Sequence, residues 1–182
     1  MKNEFLYAAI ADTQGTIRSI DVRAGFLFLI LFLPLSLIDK LWTIYGFPPK
    51  LTCVMTVWVV ADLIIWAAAI VALFRCVVAI DNPANHIAGA PGSDAFYGGS
   101  LFDLKFQHIF GNFPALSSRT VDDEAQALPS DGSAVEKELI FEKMKLAYIR
   151  SVKLLRFTAA AWLTLAWLVL SGALAIYSRV FA

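Results

Sequence analysis

The chain has 182 residues, of which 59% are hydrophobic and 16% charged, with a mean hydropathy of +0.68 and zero net charge at pH 7. A soluble domain carries about a quarter charged residues, so this much apolar surface calls for a solvent other than water. Zero net charge supplies no general basic field, and no DNA-binding motif or repeat stands out, so nucleic acid is not an expected partner.

The two cysteines, Cys53 and Cys76, form neither a CxxC pair nor a cluster with histidine at zinc spacing, and both read as small apolar fillers. No metal or cofactor is expected. The start, MKNEFLYAAIADTQGTIRSIDVRAG, mixes acids with bases and lacks a short apolar core with a cleavage site, so no secretory signal is expected.

Residues 1–50 predict an N-terminal helix and a first membrane span. The uncharged stretch Ala24 to Ile38 has 15 residues, only about 22 Å of helix against a hydrocarbon core of about 30 Å. Arg23 snorkelling at one end, and Trp42 and Tyr45 at the other, extend the expected span to about Ile20–Tyr45. Pro34 is expected to kink it, and Pro48 with Pro49 to close the following turn.

Residues 51–75 predict a second span, since Leu51 to Phe74 holds 24 residues with one charge, Asp62. An acid near mid-span costs about 2.5–3.5 kcal/mol on insertion scales, which the surrounding Leu, Ile, Val and Phe offset. Asp62 should therefore face protein or water. Two roles fit it: a functional contact that changes on activation, or a neutral acid hydrogen-bonded inside the bundle.

Residues 76–133 read as a loop region with a short amphipathic helix. DNPANHIAGAPGSDAFYGGS and SSRTVDDEAQALPSDG are rich in Gly, Pro, Ser, Asp and Asn. Between them Phe102, Phe106, Phe110 and Phe113 recur at helical spacing, and the stripe either packs on the protein's own helices or forms a ligand or partner pocket with Gln107 and His108. His86 and His108 have no ligand cluster around them. GAPGSDAFYGG lacks GxGxxG and a Walker lysine, which makes it a poor phosphate cradle. No nucleophile and base pair appears, so an enzyme is the least expected class.

Residues 134–182 predict one helix running from the polar side into the third span. Ser133 and Glu136 have capping-box spacing. Ile140, Met144, Ala147, Ser151 and Leu155 fall on one expected apolar side, with Glu136, Lys143, Arg150 and Lys153 elsewhere. Phe157 to Ser178 has no charge, and nothing breaks the run before Gly172. The expected helix is about 45 residues, near 65 Å long. It serves either as a mechanical link between cytoplasm and membrane or as a stabilising stalk.

The fold class expected is thus an all-α membrane protein, with three transmembrane helices and a long cytoplasmic helix continuous with the last span. Of the 15 Lys and Arg residues, three precede the first span, two lie between the first and second, nine lie from Arg75 to Arg156, and Arg179 follows the third. By the positive-inside rule the amino terminus and middle section are cytoplasmic, and the carboxyl terminus lies outside. Asp21 and Arg23, at the start of the first span, are candidates to pair with charges of the long helix such as Arg150 or Glu142, or to anchor the span at the interface.

Four segments in order carry a family resemblance: IRSIDVRAG before the first span, the apolar second span, FQHIFGN, and EKELIFEKMKLAYIRSVKLLRF leading into the last. Together they resemble the PycTM family, the transmembrane effectors of Pycsar antiphage defence, over most of the chain. Each motif is degenerate, and Arg23 stands where the family pattern has lysine. Asp21, Arg23, Phe106, Glu138, Tyr148 and Lys153 match that pattern. The resemblance implies a multi-pass protein of the bacterial inner membrane that senses a cyclic pyrimidine nucleotide, cUMP or cCMP. It would respond by assembling as a homo-oligomer and impairing membrane integrity, giving abortive infection. Cyclic mononucleotide sensors often use a β-roll, and the roughly 50 residues before Ala134 are too few for one. A nucleotide would have to bind among helices or between subunits, where Lys105, Phe106, His108 and Arg119 could meet phosphate and base. The other reading is an accessory subunit or small channel controlled by protein partners.

Overall fold

The computed structural model describes residues 2–36, 53–78, 80, 83–88, 117–129 and 131–181. Among them the chain is helical without β-strands: α1 spans Lys2–Ser36, α2 Cys53–Val77, α3 Val121–Ala127 and α4 Gly132–Phe181, with a 3-10 turn at Pro83–His86. Three helices, α1, α2 and α4, are long and apolar enough to cross a membrane. In their most apolar windows only 17%, 11% and 17% of residues are buried within the chain. Lipid or another chain must cover the remainder, because exposed apolar surface on this scale is not stable in water.

The chain divides into two compact units, residues 1–15 with 80–149, and residues 16–79 with 150–182. In the first, α1 buries Leu6, Ile10 and Thr13 at helical spacing, while α4 buries Glu138, Leu139, Phe141, Glu142, Lys145 and Leu146. Lys2 Nζ lies 3.4 Å from Glu136 Oε1, and Lys143 Nζ sits over the Phe5 ring at 5.6 Å from its centroid. Low numbers meet low and high meet high, so α1 and α4 run parallel in this unit. His86, at the end of the 3-10 turn, stacks on Tyr148 with centroids 4.6 Å apart and planes at 17°.

The second unit is a three-helix packing of α1, α2 and α4. Its core is Ile20, Ala24, Leu31, Ala69, Leu73, Cys76, Ala160 and Trp167. Half of these are small, Ala24, Ala69, Cys76 and Ala160, a residue type that lets helices pack closely where no water drives association. Large apolar side chains point outward instead, including Phe26, Leu63, Ile64, Phe74, Trp162 and Val169. Trp66 Nε1 donates to the Leu31 carbonyl at 3.0 Å and joins α2 to α1. That carbonyl neighbours the one at Ile30, whose helical donor Pro34 removes. Helix α1 nevertheless continues through Pro34 to Ser36.

Three expectations need correction. Helix α4 is capped by Asp131, not by a box at Ser133: the Asp131 Oδ1 accepts from the Ala134 amide at 2.6 Å, and Ser133 lies inside the helix. The segment SRTVDDEAQA, read as loop, contains α3, because Thr120 and Asp123 form a reciprocal capping box that outweighs the loop-forming composition. On the amino-terminal part of α4 the face is rotated: Ile140, Met144 and Leu155 are exposed, and Lys153, expected on a solvated side, is buried. The buried face is set by which charged side chains find partners, and hydrophobic letters alone do not reveal that. Trp42 and Tyr45, and the phenylalanine stripe from Phe102 to Phe113, lie outside the described residues.

Candidate functional site

Several polar side chains of the second unit are turned toward neighbouring helices, among them Asp21, Asp62, Lys153 and Thr164, as an apolar bundle requires of groups within its spans. The densest group is where α1, α2 and α4 meet near Asp21. Lys153 Nζ donates to Asp21 Oδ1 at 2.5 Å. The lysine side chain is 9% exposed and the aspartate 40%, so the pair is half-desolvated. Cys76 Sγ, fully buried, contacts the Lys153 carbonyl at 3.5 Å. One turn on, Arg156 donates from its guanidinium to the Arg75 carbonyl at 2.7 Å. This places a cation on the carbonyl end of α2, where the helix dipole favours one.

The arrangement follows from sequence position. Asp21 sits one turn before the uncharged run of α1, Arg75 in the last turn of α2, and Lys153 and Arg156 at the last charged turn of α4 before its uncharged run. Charges that each helix must stop at an interface are thereby brought to one level. Opposite charges pair, and surplus positive charge turns to a backbone carbonyl.

Asp62 lies deeper in the same unit. Ser171 Oγ donates to Asp62 Oδ1 at 2.8 Å, with the pair partly buried between α2 and α4. Ser171 carried no obvious signal in the sequence, because a lone serine in an apolar run is common. Its spacing is explained once α2 and α4 are known to be antiparallel, since 62 pairs with 171 just as 75 pairs with 156. Thr164 satisfies itself on the Ala160 carbonyl at 2.8 Å.

In the first unit the charged group is Glu142 and Lys145, both buried on α4. Lys145 Nζ stands 2.8 Å from Glu142 Oε2, an ion pair one helical turn apart. Oε2 has no hydrogen-bond donor, so the contact is a charge contact without hydrogen-bond direction. Lys145 Nζ also lies 4.9 Å from the Phe141 ring centroid. Glu138 is buried as well.

Of the residues singled out in the sequence, Asp21 and Lys153 are brought together, so the long helix meets Asp21 through Lys153, one turn beyond Arg150. Arg23 is exposed and Arg150 half-buried. Arg119 is half-buried just before α3, where Ser117 Oγ donates to its carbonyl at 2.7 Å. Glu138 is buried in the first unit, and Tyr148 is half-buried and stacked on the exposed His86. Lys105, Phe106 and His108 lie outside the described residues. No protein-family profile, no curated protein and no solved structure matches the chain.

Proposed function

We propose that the chain is a membrane effector of bacterial antiviral defence, resident in the inner membrane, that assembles and impairs membrane integrity when it binds a cyclic pyrimidine nucleotide, cUMP or cCMP. The observation that carries this reading is α4, a single helix of 50 residues whose first part is charged and whose segment from Phe157 to Ser178 has no charge. An event on its polar part is coupled to its apolar part through continuous backbone hydrogen bonds. The four-segment resemblance to the PycTM family supports the ligand class, and the positive-charge distribution supports a cytoplasmic polar part.

The mechanism is a shift between populations. Nucleotide binds the assembled arrangement more tightly, and assembly opens or disrupts the bilayer around the spans. Reversing a 1:99 bias takes about 10⁴-fold differential affinity, some 5.5 kcal/mol. Charge-assisted contacts to a phosphate between subunits are strong enough to supply this. Asp21, Arg23, Arg150 and Lys153 serve as signalling positions at the cytoplasmic level of the bundle, with Arg119, Lys105, Phe106 and His108 toward the ligand. Asp62, held by Ser171, is the intramembrane group whose hydrogen bond changes on activation.

Purified protein in liposomes should bind radiolabelled cUMP or cCMP and release an entrapped dye only when one is added. The absence of both binding and leakage would reject the reading. The alternative, a subunit or channel governed by a protein partner, draws on the exposed Ile140 and Met144 and on Val121, 86% exposed, in the first unit. Lipid does not cover these if that unit is cytoplasmic, and a partner chain would.

A further inference from the structure

The second unit carries a groove of about 650 Å³ between α2 and α4. Its size is within the ~300–1,000 Å³ typical of ligand sites. Ala67, Ala68, Ala72 and Ala159 line its floor, with Val71 and Leu155 as walls and Arg75 and Arg156 at one end. The groove exists because Ala67, Ala68 and Ala72 of α2 and Ala159 of α4 leave space there that larger side chains would fill.

Its chemistry is graded along its length. From Arg75 to Ala67 is about 12 Å along α2 at 1.5 Å per residue, and every lining side chain in that interval is apolar. At the other end stand two guanidinium groups, and among the described residues neither has a carboxylate partner: the local acid, Asp21, is engaged by Lys153. Arg156 bonds the Arg75 carbonyl through one nitrogen, and among the described residues its other donors and those of the Arg75 side chain have no partner, which leaves them for an anion. That bond also places positive charge against the carbonyl end of α2, whose dipole would otherwise oppose an anion there.

An amphiphile with an anionic head and a hydrocarbon tail satisfies both ends at once. We propose that this groove binds an anionic phospholipid, its phosphate on Arg75 and Arg156 and one acyl chain along the alanines. Basic pockets between membrane helices on the cytoplasmic side are suited to such headgroups, and guanidinium matches phosphate with two parallel hydrogen bonds. A free nucleotide fits the same arginines poorly, since its base and ribose would desolvate against a wall with no polar side chain to receive them. The inference requires that the spans lie in a bilayer and is independent of nucleotide sensing.

The test uses the full chain in detergent micelles and native mass spectrometry, with added phosphatidylglycerol, phosphatidylcholine of the same acyl chains, and cUMP. Phosphatidylglycerol should give a saturable single adduct that phosphatidylcholine does not give. Arg75→Gln, which leaves the Arg156 bond to the backbone intact, should weaken that adduct roughly fivefold, the worth of one cation at an anionic surface. Ala159→Leu keeps both arginines and fills the groove, and should abolish the adduct while circular dichroism stays unchanged. Equal binding of the two lipids, an adduct that survives Ala159→Leu, or displacement of lipid by cUMP would each overturn the lipid site. Recovery of the chain as a monodisperse species in buffer without detergent would instead overturn the membrane reading on which it rests.

Discussion

The two units of the chain resolve the same problem, what to bury, in opposite ways. The second unit buries alanine, leucine and a tryptophan, exposes its larger apolar side chains, and gives its polar groups partners on neighbouring helices. The first buries Leu6, Ile10, Leu139, Phe141 and Leu146 together with two glutamates and a lysine on α4, while Ile140 and Met144 stay exposed. The second pattern is that of a bundle whose surroundings are more apolar than its interior. The first is a packing in which long side chains bury their stems and match charges, and its exposed apolar residues await a cover that lipid does not supply if this unit is cytoplasmic. The contrast teaches that hydrophobicity locates the helices long and apolar enough to span a membrane, whereas in the other unit apolar burial and buried charge share one packing.

The largest effect that would break the contrast is in the first unit. Lys145→Met strands Glu142 in a buried site, and an uncompensated buried charge costs about 3–5 kcal/mol. The double variant Glu142→Leu with Lys145→Met should recover most of that loss. Thermal unfolding in detergent followed by circular dichroism reads both, and equal stabilities for the single and double variants would show that charge matching does not hold this unit together.

In the second unit, Asp62→Leu removes a mid-span acid that costs about 2.5–3.5 kcal/mol on insertion and gives up a hydrogen bond worth about 0.6–1.7 kcal/mol. Insertion of a reporter segment carrying α2 should therefore improve. Nucleotide-triggered leakage should fall if the Ser171 contact has a signalling role, and unchanged leakage with intact expression removes that role. A smaller effect is expected at Asp21 and Lys153. Because the aspartate keeps water access, removing either partner should cost about 1–3 kcal/mol, between the exposed and the buried limits. A double-mutant cycle with Asp21→Asn and Lys153→Met that shows no coupling would mean the contact is incidental.

The smallest effect is at α3. Hydrogen bonds from the Thr120 hydroxyl, and then from its amide, hold the Asp123 carboxyl below its ordinary value. A carboxylate with a depressed folded value stabilises the fold above its unfolded pKa, and that contribution is lost as pH falls through the lower folded value. Helix α3 should accordingly loosen only in acid. Thr120→Ala should return the Asp123 titration, followed by carboxyl NMR shifts, toward the ordinary range, and an unmoved titration would deny the capping box.

Much of the helical frame is legible in the sequence because a membrane demands long uninterrupted apolar runs, and Leu51 to Phe74 and Phe157 to Ser178 provide them. The final helix is unbroken for the reason visible in its letters: no proline interrupts it, and of its two glycines Gly132 is its first residue and Gly172 sits within the apolar run. The partners are less legible. Asp21 could be seen as a charge in need of an opposite, with Arg150 as a candidate, but that Lys153 faces it depends on a shift of about one turn along α4 and a turn of its face by about 60° that propensity does not set. Ser171 becomes meaningful only opposite Asp62. The groove arises from four alanines on two helices separated by some ninety positions, and no local pattern relates them. Asp131, Ser133 and Thr120 are all capping residue types, and the structure chooses among them by geometry.

Reporter fusions at residues 45, 100 and 182 test the central claim most directly, that α1, α2 and the apolar part of α4 each cross one bilayer. Alkaline phosphatase should be active at 45 and 182 and inactive at 100, with green fluorescence showing the reverse. Phosphatase activity at residue 100, or full-length protein recovered in the aqueous supernatant after fractionation, would contradict the account.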